Sequence, residues 1–369
     1  MLRKRVFVIL YITLLMAILN ACSPSQSVPA TTQTIDTPTS LQTALPSKTP
    51  VPSITPTYTV TPTPSLYSTL SPGTYLVYST IYTKSSGNLY YQIEVLSLDG
   101  KYQGSFIKED ILFERHSPVG KISPNGLFLA FTKGNPQREK GTELVLFDIK
   151  NNHNIDIPDL KGYKNCQTVN WSPDGKELIL SCEVDRVADL YSISRNDSTI
   201  QRITDCRPIE AYCYHPAWSP NGKWIIYTRN GTSPTPCEYC DWGPYVINTS
   251  CLEDTLTCMD LDIGPFIGWH PYTWSPDSML FASDIFDKTI GDYIRLFTIE
   301  NDKIVQKRDI KIEGKVRSLS WSPDGEWIAY STFAGDIYLV SPDGKDSVFL
   351  RQTKHAELFG WLTIPKVEK

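Results

Sequence analysis

Trp171-Ser172-Pro173-Asp174-Gly175 is the stretch of sequence that decides the fold, because close copies of it recur along the chain. The other copies are Ser123-Pro124-Asn125-Gly126, Ser219-Pro220-Asn221-Gly222, Ser275-Pro276-Asp277-Ser278 and Ser322-Pro323-Asp324-Gly325. Successive motif serines are 49, 47, 56 and 47 residues apart. A fixed period of this length indicates a repeat architecture, in which each repeat is one supersecondary unit.

The motif has the residues of a tight turn between two strands. Proline presets its own backbone, Asp or Asn accepts hydrogen bonds from nearby amides, and glycine tolerates the left-handed conformation. In four of the five copies a tryptophan precedes the serine, namely Trp171, Trp218, Trp274 and Trp321. An apolar run such as Trp224–Tyr227 follows the turn, and two further strand-like segments follow in most repeats. Four antiparallel strands per repeat are typical of a β-propeller blade, and we expect the tryptophans to pack between neighbouring blades.

Incomplete repeats at the two ends of this region predict a closed ring. Residues 73–108 supply three strands without a preceding Trp-bearing strand, whereas residues 354–363 supply one strand with no partner. The C-terminal segment should therefore be the innermost strand of blade 1, which removes the open sheet edge. The predicted fold is all-β: a six-bladed β-propeller of four-stranded antiparallel blades, spanning residues 73–369.

These hairpins, at a spacing near 50 residues, resemble the TolB-like propeller family and the N-terminal propellers of prolyl-oligopeptidase-type peptidases. The TolB resemblance implies a rigid platform at the cell envelope that docks partner proteins, and we expect no counterpart of the additional α/β domain of TolB. The peptidase resemblance would require a hydrolase domain. The sequence has no Gly-x-Ser-x-Gly, His-Glu-x-x-His, Walker or dinucleotide motif, so we expect a protein without enzymatic activity.

The N-terminus has the pattern of an export signal. Basic residues 1–5 precede sixteen mostly apolar residues, 6–21, which is short for a membrane-spanning helix and typical of a signal peptide. Leu19-Asn20-Ala21-Cys22 resembles the lipobox of bacterial lipoproteins, although Asn20 is a less usual residue there. The resemblance implies lipidation of Cys22 and cleavage after Ala21. We therefore expect a lipid-anchored protein on the extracytoplasmic side of the cell membrane.

Residues 22–72 are predicted to be a disordered linker behind the lipidated cysteine. Pro, Thr and Ser occupy 32 of the 50 positions from 23 to 72, a composition that cannot bury enough apolar surface to fold. The whole chain has a net charge of −5, and residues 73–369 carry −8 because the N-terminal segment is basic. Such a charge disfavours binding to nucleic acid, and we expect a monomer that meets the membrane through its lipid anchor only.

Eight cysteines follow Cys22, which in an exported protein favours disulfides. Cys166 and Cys182 are placed almost symmetrically about the turn at Pro173-Asp174, so they should face each other across that hairpin. Cys251 and Cys258 similarly flank a turn.

The remaining cysteines have two interpretations. Four cysteines fall in two loops of one propeller face: Cys206, Cys213, Cys237 and Cys240. They could form two short disulfides or a four-thiolate zinc site, and an oxidising compartment favours disulfides. We interpret this cluster as a staple for the long 229–243 loop.

Histidines and aromatic residues mark a candidate binding face at the channel mouth. Four histidines lie near the starts of first strands: His116, His215, His270 and His355. They could line the mouth as ordinary polar residues or ligate a divalent metal. Five aromatic residues gather near the same mouth, where they could contact a partner or pack the loops of blades 4 and 5: Tyr212, Tyr214, Tyr239, Trp242 and Tyr272.

The sequence thus predicts a non-catalytic platform that binds an envelope protein or glycan, without a cofactor. The alternative is a metal-dependent polysaccharide lyase or hydrolase that uses the channel-mouth histidines as ligands. A purely structural envelope protein is a third hypothesis.

Overall fold

A computed structural model gives the fold of the C-terminal part of the chain. The described residues are 65–83, 85, 89–112, 118–135, 141–157, 160, 162–206, 211–230, 242–251, 261–262, 272–287, 291–301 and 303–366. The chain divides into two units, Met1–Val60 and Thr61–Lys369, and every described residue lies in the second. Among these residues, no helix has the length and apolar composition needed to cross a bilayer.

Six four-stranded antiparallel sheets follow one another, as the repeat predicts. Blade 1 contains β1 (Gly73–Thr83), β2 (Leu89–Ser97) and β3 (Tyr102–Leu112), together with the last strand of the chain, β24 (Glu357–Ile364). Blade 2 contains β4 (Val119–Ile122), β5 (Phe128–Asn135), β6 (Gly141–Asp148) and β7 (His153–Ile155). Blade 3 contains β8 (Lys164–Trp171), β9 (Glu177–Val184), β10 (Val187–Ser194) and β11 (Ile200–Arg202).

The second half of the ring has the same organisation. Blade 4 contains β12 (Tyr212–Trp218), β13 (Trp224–Asn230), β14 (Trp242–Asn248) and β15 (Leu261–Asp262), with a short 3-10 helix at Thr249–Cys251. Blade 5 contains β16 (Thr273–Trp274), β17 (Phe281–Asp287), β18 (Gly291–Glu300) and β19 (Lys303–Lys311). Blade 6 contains β20 (Val316–Trp321), β21 (Ile328–Thr332), β22 (Asp336–Val340) and β23 (Ser347–Gln352).

The C-terminal strand closes the ring, which confirms the predicted closure. β24 pairs antiparallel with β1, so that Trp361 lies opposite Leu76 and Leu362 opposite Tyr75. The innermost strands of the six blades contact one another in the order β24, β4, β8, β12, β16, β20 and back to β24. The fold is therefore a sealed six-bladed β-propeller.

The repeated turns are held by their own serine and Asx side chains. In blade 3 the Gly175 amide donates to the Ser172 carbonyl oxygen (2.9 Å), and the Ser172 hydroxyl donates to Asp174 Oδ1 (2.8 Å). The Glu177 amide then donates to Ser172 Oγ (2.9 Å), which joins both ends of the turn. The five turns lie between the first and second strands of their blades, at one end of the propeller, which we call the turn face.

Two copies of the turn depart from the pattern. Ser278 stands where the other copies have glycine, and it adopts the same left-handed conformation with a φ of 63°. A further Ser-Pro-Asp-Gly sequence, 341–344, has the same turn hydrogen bonds but connects the third and fourth strands of blade 6. This copy follows Val340 rather than tryptophan, so the motif specifies a turn wherever it occurs, whereas a tryptophan precedes the turn in four of the five inner hairpins.

The repeated tryptophans join neighbouring blades. Three of the indoles donate from Nε1 to a carbonyl oxygen of the preceding blade's inner strand: Trp171 to Lys121 (2.9 Å), Trp274 to Ala217 (3.1 Å) and Trp361 to Ser320 (3.4 Å). Trp218 and Trp321 instead donate to the glycine carbonyl oxygen of their own turns (3.2 Å each). All five pack on the apolar clusters between blades, as predicted for the four that precede a turn.

A short segment before blade 1 also belongs to the folded unit. The helix α1 (Leu66–Thr69) lies within the predicted linker range. Leu66, Tyr67 and Leu70 pack against the core of blade 1, and a Cβ at Gly104 would lie 2.5 Å from Leu66 Cδ1. The close approach of Leu66 to the sheet therefore requires glycine at this position of β3.

Candidate functional site

The end of the propeller opposite the turn face contains the starts of the inner strands, and we call it the loop face. Of the four predicted histidines, the structure describes His215 and His355, and both belong to inner-strand segments at this end. His116 and His270 lie outside the described residues, as do Tyr239 and the predicted lipidation site, Cys22. Trp242 begins β14, and its side chain is not among those described.

His215 lies within β12 in a strained backbone conformation with a φ of 53°. Its amide donates to Thr168 Oγ1 of blade 3 (3.3 Å), which fixes the backbone between two blades. Nδ1 of the ring is buried and has no hydrogen-bond partner. Burial lowers the pKa of His215 to about 4, so the imidazole is neutral at physiological pH and retains a nitrogen without a bond.

His355 lies two residues before β24, on the other side of the ring. Its Nε2 is likewise buried without a hydrogen-bond partner, and its ring meets Tyr91 edge-on at 6.0 Å between centroids. Burial, followed by the charge of Arg317, lowers the pKa of His355 to about 4. His215 and His355 thus share a neutral, partly unsatisfied state but belong to different blades.

The predicted aromatic residues divide into two groups. Tyr212 and Tyr214 are half-buried at the start of β12, and their rings lie parallel with centroids 6.0 Å apart. Burial raises the pKa of Tyr214 to about 12. Tyr272 is buried between blades 4 and 5, with its hydroxyl 3.1 Å from Thr228 Oγ1. Tyr272 therefore packs the blade junction, while Tyr212 and Tyr214 remain accessible at the loop face.

Two disulfides reinforce blades 3 and 4 beside these residues. Cys166 and Cys182 are bonded across the inner hairpin of blade 3, as predicted. Cys206 and Cys213 form a second disulfide between the end of blade 3 and β12. Because they are bonded, Cys206 and Cys213 are not available together as zinc thiolates. Three of the other predicted cysteines, Cys237, Cys240 and Cys258, lie outside the described residues, and Cys251 ends the 3-10 helix with its side chain undescribed.

Asp189, Cys206 and Cys213 are the one group of three metal-type ligands that comes together within the described part of the chain. The two sulfurs of this group form the disulfide. The Asp189 carboxylate is saturated, because it accepts hydrogen bonds from Arg202, Thr204 Oγ1 and the Cys206 amide at 2.8–3.1 Å. This group therefore stabilises the blade 3–4 junction and does not have the chemistry of a metal site.

A buried carboxyl that sequence reasoning missed lies at the junction of blades 5 and 6. Asp284 on β17 is 6% exposed, and burial raises its pKa to about 8, with Asp292 adding to the effect and Lys315 opposing it. Asp284 is the ninth residue after its motif serine, where the other turn-bearing blades have hydroxyl residues: Thr132, Ser181, Thr228 and Ser331. Aligning the repeats would have revealed this exception.

The sequence also did not predict a group of charged side chains at the inner edge of the ring. Arg317 on β20 donates from Nε to Glu357 Oε2 on β24 (3.0 Å), and Lys121 lies on the adjacent inner strand, β4. No motif connects these residues in the sequence, since they belong to three different blades.

Comparisons with known proteins agree with this architecture. The chain aligns with TolB from Acinetobacter baumannii with a TM-score of 0.57 and 16% identity, over 79% of this chain and 67% of that one. A protein described as TolB from Agrobacterium tumefaciens aligns with a TM-score of 0.51 and 15% identity, over 80% of this chain and all of that one. The fold is TolB-like.

Sequence matches cover smaller parts of this TolB-like propeller. Residues 307–339 match the WD domain, G-beta repeat family. This range covers the end of β19 in blade 5 and the first three strands of blade 6. An uncharacterised protein of Agrobacterium fabrum, Atu1656, is 27% identical over 167 residues, or 43% of this chain and 52% of that protein. The chain thus spans about half the length of the curated relative that it matches.

Proposed function

We propose that this protein is a lipid-anchored, extracytoplasmic propeller that acts as a non-catalytic binding platform for an envelope protein or glycan. The TolB-like ring supports a platform role, because a closed propeller holds its loops on a rigid base. The lipobox-like sequence ending at Cys22 supports anchoring, and the Pro/Thr/Ser-rich segment supports a spacer between lipid and propeller.

The observation that carries the binding role is the accessible aromatic pair at the loop face. Tyr212 and Tyr214 are stacked beside a strained, partly unsatisfied His215, and two disulfides fix the strands below them. Aromatic side chains with a polar group provide contact area at little cost in conformational entropy. A rigid base and amphipathic rings together suit a preformed contact surface.

Membrane anchoring is tested by replacing the acceptor thiol. Cys22→Ser should shift the protein from the membrane fraction to the soluble extracytoplasmic fraction or leave an uncleaved precursor. Mass spectrometry of the N-terminal peptide should find a diacylglyceryl group on Cys22 in the unaltered protein. An unmodified Cys22 in a mature, membrane-associated chain would contradict the proposal.

Binding is tested by site-specific photo-crosslinking in the native envelope. A photoreactive amino acid at position 212 or 214 should capture a discrete protein or envelope glycan. The same amino acid at Lys223 on the turn face is the matched control and should not capture it. Tyr212→Ala together with Tyr214→Ala should abolish the capture by a probe at Asn230, which pairs with Tyr212. Equal yields from both faces would refute the loop-face assignment.

A further inference from the structure

The outermost strand of each blade ends a sheet, and five of these six strands have a feature that discourages further pairing. β7 and β11 have three residues each, and β15 has two. In blade 1, α1 packs against β3, where Leu66 approaches Gly104. β19 has four cations along its length: Lys303, Lys307, Arg308 and Lys311. Short strands, covering segments and charged side chains all protect a sheet edge from another chain.

β23, the outermost strand of blade 6, has none of these features. It has six residues, of which residues 347–350 are uncharged. It pairs with β22 on one side, and no strand of the described part of the chain pairs with its other side. The Ser341 amide donates to the Asp346 carbonyl oxygen (2.9 Å). Because hydrogen-bonded and non-hydrogen-bonded pairs alternate in an antiparallel ladder, the backbone N–H and C=O groups of Ser347 and Phe349 point away from β22.

Exposed apolar side chains concentrate around this edge. Phe349 meets the Tyr338 ring edge-on on the blade 5 side, with centroids 5.3 Å apart, whereas Val348 faces blade 1. On the blade 1 side, a Cβ at Gly100 would lie 2.5 Å from the Leu350 carbonyl oxygen, so the turn between β2 and β3 lies against β23. Four of the six large hydrophobic residues exposed within the described residues belong to these two segments, at 37–54% exposure: Leu98, Tyr102, Val348 and Phe349. Clustered exposed apolar residues are typical of a protein contact surface.

Charge disfavours a second copy of this chain as the occupant of the edge. Two β23 strands paired antiparallel through Ser347 and Phe349 would place Lys345 of each copy opposite Arg351 of the other. Like charges directly opposite each other destabilise a sheet. Lys345 forms an ion pair with Asp343 in its own turn (2.7 Å), but Arg351 would still face a lysine rather than a carboxylate.

An acidic residue on the added strand would instead match the charge of Arg351. The Arg351 guanidinium lies over the exposed Tyr102 ring, 5.7 Å from its centroid, and it makes no ion pair with any described residue. Glu94 faces the same blade junction, where its carboxylate accepts a hydrogen bond from the Tyr78 hydroxyl. A carboxylate opposite Arg351 would form an ion pair at the rim of the surface, which favours the correct alignment of the added strand.

We propose that the outer edge of blade 6 binds an extended segment of a partner protein, which pairs antiparallel with β23 and places an acidic residue opposite Arg351. The outward backbone groups of Ser347 and Phe349 supply the hydrogen bonds, and Val348 and Phe349 contact side chains on the two faces of the added strand. This edge belongs to blade 6, so such binding does not depend on the proposed contact surface of blade 4.

A short peptide of defined sequence, Glu-Thr-Val-Val-Val-Thr-Glu with blocked ends, is a suitable probe. Added to the isotope-labelled full chain, it should shift the NMR amide signals of Ser347 and Phe349 and leave those of β19 unchanged. N-methylation of its first and third valines removes the N–H groups that face β23 and should abolish binding. Lysine in place of both glutamates should weaken binding by about threefold or more.

Substitutions in β23 test the same surface from the side of the protein. Phe349→Lys places a charge on the exposed edge and should weaken peptide binding by about tenfold or more. Gln306→Lys adds the same charge to an exposed position of β19; it is the matched control and should bind like the unaltered protein. Should Phe349→Lys fail to fold, Arg351→Gln provides a second test, since it should remove the preference for glutamate over lysine in the peptide.

Sedimentation velocity distinguishes the partner strand from a second copy. The full chain without peptide should sediment as a monomer, whereas a dimer that Phe349→Lys dissociates would show that a second copy occupies the edge. That result would overturn the proposal, as would unchanged amide signals on adding the peptide or equal binding of the N-methylated peptide.

Discussion

Replacing Asp284 with Asn should stabilise the propeller at alkaline pH and leave it unaffected, or slightly less stable, in acid. In the folded protein burial holds the pKa of Asp284 at about 8, against a reference value of 3.8. Between these values the folded state keeps a proton that the unfolded state has lost. The free energy of unfolding therefore falls by about 1.4 kcal/mol for each pH unit through this window.

The size of the change in unfolding free energy depends on the pH range that the assay covers. Between pH 5 and pH 8 the Asp284 carboxyl should remove about 4 kcal/mol of stability, because its burial disfavours the charged form. Asp284→Asn keeps the shape of the side chain and removes the titration. The difference in unfolding free energy between the variant and the unaltered protein should thus grow by about this amount from pH 5 to pH 8.

Urea unfolding, monitored by tryptophan fluorescence at both pH values, measures this difference. Asp284→Ser introduces the residue type found at the same position of blades 3 and 6, and it should show the same pH trend. A difference between Asp284→Asn and the unaltered protein that stays constant within about 0.5 kcal/mol from pH 5 to pH 8 would refute the reasoning.

Two further predictions concern the closure and reinforcement of the ring. Truncation before Glu357 removes β24 and leaves β1 without its inner partner, so we expect loss of the cooperative unfolding transition. Truncation after Pro365 is the control and should preserve the transition. A cooperative transition in the shorter chain would contradict closure of the ring by β24. Cys166→Ala with Cys182→Ala removes a disulfide that closes a loop of 16 residues, and it should lower the free energy of unfolding by roughly 3 kcal/mol. Under reducing conditions, which open both described disulfides, the double variant and the unaltered protein should unfold at the same urea concentration, whereas under oxidising conditions they should differ.

The fold could be predicted because its determinants are local. Ser172 and Asp174 form their turn through hydrogen bonds within six residues, so each copy of the motif specifies a hairpin wherever it occurs. The five copies of the motif predict five blades. The unmatched strands at the two ends of the region predict a sixth blade that closes the ring. The pairing of Cys166 with Cys182 was predictable for the same reason, since both flank one of these turns.

The candidate sites could be predicted only in part, because irregularities in the inner strands change which residues meet. The pairing of β12 with β13 shifts between Tyr214 and Ala217, and that of β20 with β21 shifts between Val316 and Ser318. Arg317 lies at one such shift. Its distance from the motif serine therefore does not tell which neighbour it faces.

The histidines illustrate how position relative to the tryptophan decides the environment. His355 precedes Trp361 by six residues, whereas His215 precedes Trp218 by three. The two rings consequently occur at different levels of their inner strands, one before β24 begins and the other at a strained position within β12. Residues of the same type gather at a propeller mouth only when they occupy equivalent repeat positions. Arg317 and Glu357, by contrast, come together through packing between blades 6 and 1, and the sequence period could not reveal their proximity.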